Sequence, residues 1–158
     1  MNVTLRFLAG WLFGASVTTV LAVIGQTQIV LARLNAVGAE ITLGDRLSMT
    51  AYDLIHLGSI YGIIIFAGTL IAYLAGLLVY RAAGFGRPVV FITAGTVAMV
   101  VMLLAMKAAF FDITLIAGAR GPLGLSLQLG AGAVGGWAFA GLTQRLKVRQ
   151  SRRKRVTV

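Results

Sequence analysis

Cysteine is absent from this chain, which excludes disulfide staples, thiolate nucleophiles and any metal site built on sulfur. Only four acids occur in 158 residues (Glu40, Asp45, Asp53 and Asp112), and His56 is the single histidine. That set is too small and too scattered to supply the ligands of a zinc site. An acid–base pair would have to come from Asp53 and His56, with no nucleophile beside them. Charge of either sign is scarce, at 11% against about 25% in an ordinary soluble domain. The expectation from these absences is a chain with no metal and no cofactor, and one that leans away from catalysis.

What is present is apolar. Hydrophobic residues make up 59% of the chain, and the mean hydropathy is +0.94. A membrane-crossing helix needs about 20 mainly apolar residues. The longest candidate runs from Thr50 to Tyr80, with no Asp, Glu, Lys or Arg after Asp53 until Arg81. Three others flank it, giving expected helices at about 7–31, 50–80, 88–111 and 122–143. The first is read as a retained helix and not a secretory signal, because it outruns a signal core and no Ala-x-Ala site closes it. Thr50, three residues before Asp53, is the expected N-cap of the second helix, and Pro88 and Pro122 open the third and fourth. The expected fold is therefore an all-α, four-helix transmembrane bundle over residues 1–144, followed by a basic tail over 145–158.

Four spans place both termini on one side. Arg6, Arg81, Arg87 and seven basic residues of the tail lie there, whereas the other side has Arg33, Arg46, Lys107, Arg120 and all four acids. Short loops rich in Lys and Arg stay in the cytoplasm, so both termini are expected to face inward. The excess of Arg over Lys, with abundant Ala, Val and Gly, points to a bacterial inner membrane.

Gly10 and Gly14, Gly58 and Gly62, and Gly132 and Gly136 are three GxxxG pairs in three different helices. This spacing lets helix backbones approach closely in lipid, either within one chain or against a second copy or a partner helix.

Depth sorts the polar residues. At about 1.5 Å per residue, Gln26 lies roughly 28 Å from the inner end of its helix, and Lys107 about 28 Å above Pro88. By the same count, His56 stands about 36 Å above Tyr80 and Gln128 about 9 Å below Pro122. Gln26, Gln28, Asp53, His56, Lys107, Asp112 and Gln128 thus gather toward the outer end. Intramembrane ionisable groups are costly and tend to be used, which makes these residues a candidate ligand-binding cluster. Each also has a plainer reading: Asp53 as a helix-start acid, His56 bonded to it one turn on, and Lys107 reaching to headgroups. In the tail, Arg145, Lys147, Arg149, Arg152, Arg153, Lys154 and Arg155 follow a membrane helix and suit anionic lipid headgroups. The tail has no aromatic residue to stack on bases, so nucleic acid is not an expected partner.

Two function classes follow. The favoured one is a non-enzymatic structural, assembly or accessory subunit acting through helix packing, as a homo-oligomer or with a membrane-protein partner. The alternative is binding or transport of a lipid, quinone or small solute through the outer polar cluster.

Overall fold

Long stretches of Leu, Ile, Val, Ala and Phe give the backbone no side-chain partners, and a lipid environment supplies none. The intrahelical ladder is then the local solution for every N–H and C=O. The computed structural model describes residues 2–109, 119 and 121–156, with backbone only at 83, 109 and 145–156. It contains α1 (Val3–Ala36), α2 (Leu43–Ala83), α3 (Arg87–Ala109) and α4 (Pro122–Val156), with no strand among the described residues. All four helices are long and apolar enough to cross a membrane.

The boundaries differ from those expected, most of all in α2. This helix has 41 residues, about 60 Å of length, twice the thickness of a hydrocarbon core. Its N-cap is Thr42, not Thr50. Thr42 Oγ1 accepts the Asp45 amide at 3.2 Å while Asp45 Oδ2 accepts the Thr42 amide at 2.9 Å, a reciprocal capping box. Thr50 lies two turns inside, its hydroxyl donated to the Arg46 carbonyl at 2.6 Å. Asp53 is therefore no helix-start acid. The helix begins where the capping chemistry is, and an apolar run marks only the part that suits lipid. In the same way α1 continues to Ala36, where the chain turns with Gly38 at φ +93°, and α4 runs past Thr143 into the basic segment.

Each helix packs on two neighbours: α4 on α1 and α3, and α2 on α1 and α3. The closest backbone-to-backbone approaches all involve α4. A Cβ placed on Gly135 would fall within 3.0 Å of Thr18 and of the Gly14 carbonyl on α1. One on Gly136 would collide with the Phe91 backbone, and one on Gly132 with the Gly95 carbonyl. Of the expected GxxxG pairs, Gly10 and Gly14 meet α4, Gly132 and Gly136 meet α3, and Gly58 and Gly62 face α1 more loosely, where an added Cβ would meet Val23 at 3.9 Å and Thr19 at 3.2 Å.

Where backbones approach so closely, aromatic rings fill the level beside them. Phe139 of α4 meets Tyr73 of α2 and Phe91 of α3 at ring-centroid distances of 4.6 Å, and Phe7 of α1 at 5.5 Å. One ring thereby ties all four helices together. A second core, further along, holds Ala22, Val23, Tyr61, Ile65, Met99 and Met102. The outside is as apolar as the inside: Ile60, Ile63 and Ile71 are each 70% or more exposed. A helix apolar on every face belongs in a membrane or a large core.

The packing predicts a contrast between two glycines of one helix. Gly136→Ala drives a methyl into the Phe91 backbone and is expected to cost about 1–3 kcal/mol. Gly130→Ala meets nothing within 4 Å and is expected to be neutral or to stabilise by up to about 1 kcal/mol through helix propensity. Reversible unfolding in mixed detergent micelles measures both.

Candidate functional site

The candidate polar residues separate into three groups in space. The first joins α1 to α2. Arg46 donates to Gln28 Oε1 at 3.0 Å, Gln28 Nε2 donates to Thr50 Oγ1 at 3.0 Å, and Thr27 donates to Asp53 Oδ2 at 2.7 Å. Gln28 thus uses both ends of its amide, and Asp53 points at α1. These contacts form a ladder over two to three turns of the hairpin.

The second group is buried. Gln128 on α4 is 1% exposed. Its Nε2 donates across to the Ala22 carbonyl of α1 at 2.9 Å, and its Oε1 accepts the Tyr61 hydroxyl of α2 at 3.0 Å. Three helices meet at this one amide. A primary amide in hydrocarbon needs both a donor and an acceptor partner, and here it has them. Gln26, one turn from Ala22, is also buried.

The third group faces outward. His56 is exposed, stacked on Tyr52 at a centroid distance of 3.9 Å, with Nδ1 3.0 Å from the Tyr52 carbonyl. A carbonyl only accepts, so Nδ1 carries the proton in that contact. The bond expected between His56 and Asp53 is thus replaced: each side chain has its own partner. Lys107 is exposed near the end of α3. Asp112 lies outside the described residues, as do the side chains of Arg145, Lys147, Arg149, Arg152, Arg153, Lys154 and Arg155. Among the described residues no three His, Cys, Asp or Glu side chains come together as a metal site.

Sequence reasoning missed Tyr61, Thr27, Arg46 and the Arg87–Thr143 pair. Arg87 donates to Thr143 Oγ1 at 2.8 Å, joining the first residue of α3 to α4, and lies over the rings of Tyr80 and Phe91 at 5.5 and 5.2 Å. Tyr61 carried a signal, since a tyrosine in the middle of a long apolar run needs a partner for its hydroxyl. Most hydroxyls need none from outside: Thr18, Thr19, Thr69, Thr93 and Thr96 each donate to the carbonyl four residues back.

Chemically, this arrangement fixes helix rotation and register. Among the described residues Asp53 and His56 are not joined as an acid and a base, since Asp53 accepts from Thr27 and His56 meets the Tyr52 carbonyl. Compared with known protein families, characterised proteins and solved structures, the chain matches none. Its class rests on the fold: an all-helical protein with four apolar helices of membrane-spanning length.

The Gln128 node makes a measurable prediction. Polar contacts between membrane helices contribute about 0.6 kcal/mol on average and up to about 1.7. A double-mutant cycle of Tyr61→Phe and Gln128→Leu is expected to give a coupling toward the upper end of that range. Additive effects would mean that the hydroxyl and the amide do not meet.

Proposed function

We propose that this chain is a non-enzymatic membrane subunit of structural or accessory role, embedded with its arginine-rich end in the cytoplasm. The observation that carries the reading is how the outer polar residues are used. Asp53, Gln28 and Gln128 are bonded to neighbouring helices, so the groups that would line a binding pocket serve as joints instead. This favours the structural role over the binding or transport role.

Arg6, Arg81, Arg87 and the seven basic residues of the tail supply the charge asymmetry that sets orientation, as short basic segments are retained inside. A bacterial inner membrane suits that pattern and the composition. The tail, which follows the apolar part of α4, draws on anionic headgroups at about 1 kcal/mol per basic residue.

The glycine pairs Gly10 and Gly14, and Gly132 and Gly136, are occupied inside the chain, so association with a second copy or another membrane protein falls to other surfaces. On α4, Gly130 and Gly141 have nothing within 4 Å, and between them Val134 and Trp137 are 43% and 62% exposed. Their spacing puts all four on one stripe of the helix.

Two experiments test this. A reporter fused after Val158 is expected to be cytoplasmic and one inserted at Gly38 exported; the reverse pattern overturns the orientation. For the role, a photoreactive residue in place of Trp137 is expected to cross-link to protein in native membranes. Gly130→Leu with Gly141→Leu is expected to abolish that cross-link without lowering the melting temperature of the isolated chain. Cross-linking to lipid alone contradicts an assembly role for this face.

A further inference from the structure

At the end of the bundle where α1 begins and α2 closes, three arginines line one small cavity. Arg6 of α1, Arg81 at the end of α2 and Arg87 at the start of α3 surround a space of about 180 Å³. Phe7 and Leu77 form its apolar part, and Thr143 of α4 closes it. Three guanidinium groups around one cavity repel each other unless a negative charge lies among them. Among the described residues none supplies one: the acids there, Glu40, Asp45 and Asp53, sit at or near the opposite ends of α1 and α2. Arg87 is held in place by Thr143 and by the rings of Tyr80 and Phe91, and its buried Nε has no hydrogen-bond partner among the described residues. Guanidinium is the side-chain group whose planar fork matches phosphate oxygens in pairs.

We propose that this cavity is a phosphate-binding site, occupied by the headgroup phosphate of an anionic phospholipid. A space of this size has room for a phosphate and its first attached carbons but not for a whole lipid. Arginines lining the same cavity as phenylalanine and leucine suit an amphiphile that enters phosphate first and leaves its chains outside. The proposal stands whatever partner the α4 stripe finds. A free phosphate monoester offers the same chemistry, and the test separates the two sources.

The test uses the purified full-length chain in neutral detergent, titrated with short-chain phosphatidylglycerol, phosphatidylcholine of the same chain length, and inorganic phosphate. Binding is read by native mass spectrometry and by the rise in melting temperature. One phosphatidylglycerol per chain is expected to bind most tightly. Arg6→Gln with Arg81→Gln is expected to weaken it roughly thirtyfold, and Arg81→Gln alone, at an exposed position that leaves the fold intact, about fivefold. Replacing all seven basic residues of the tail by Gln is expected to leave this tight site in place. Inorganic phosphate binding as tightly, with the same losses in the variants, supports the phosphate site but assigns it to a free phosphate ligand and overturns the lipid assignment. Affinity unchanged in both arginine variants, affinity lost in the tail variant alone, or equal affinity for phosphatidylcholine overturns the site.

Discussion

The fold depends on how closely the α4 backbone lies to α1 on one side and α3 on the other. In lipid, burying a leucine against another helix brings no gain over leaving it among acyl chains, so association rests on dispersion, interhelical polar contacts and lipid entropy. Dispersion gains are largest where backbones touch along a continuous line. Gly135 faces α1 at Gly14 and Thr18, and one residue on, Gly136 faces the Phe91 backbone of α3. Consecutive residues on a helix lie about 100° apart, so adjacent glycines can serve two neighbours at once. Much else follows from this approach. Phe139, one turn below Gly135, is carried in among three other rings. Gln128, two turns above, comes within reach of both Ala22 and Tyr61.

Polar contacts add specificity to a packing that dispersion alone leaves free to slide. The Gln128 amide accepts one register between α1, α2 and α4, since a shift by one residue strands its donor or its acceptor. The α1–α2 ladder does the same for the hairpin, where no backbone approach is as tight. At the other end, the Arg87–Thr143 bond ties the start of α3 to α4. The ladder thus lies where glycine contact is loosest, and the Arg87 bond where a helix begins.

The number of helices and their order were legible from apolar run length, because lipid thickness imposes a minimum that few soluble segments meet. Helix ends were not. Thr42 and Asp45 form the same capping box that was sought at Thr50 and Asp53, and the helix takes the earlier one since nothing between them breaks it. In the candidate site, counting along each helix gave depth but not rotation. Gln128 and Lys107 were both assigned to the outer part, yet one is buried at a three-helix joint and the other is exposed. Rotation is set by where glycines let helices meet, and that depends on partners. Gly132 and Gly136 were recognisable as a pair, whereas Gly95, the α3 residue opposite them, has no second glycine at GxxxG spacing.

The direct test of this account is a distance between glycines. With all glycines carbon-13 labelled and the chain in lipid nanodiscs, solid-state correlation spectra report inter-residue contacts among glycine α-carbons alone. The account predicts long-range cross-peaks joining Gly95 to Gly132 and Gly14 to Gly135, both absent in a Gly135→Leu, Gly136→Leu variant. Spectra of the native chain showing sequential contacts only would contradict it, leaving α4 held by side chains at ordinary helix separation.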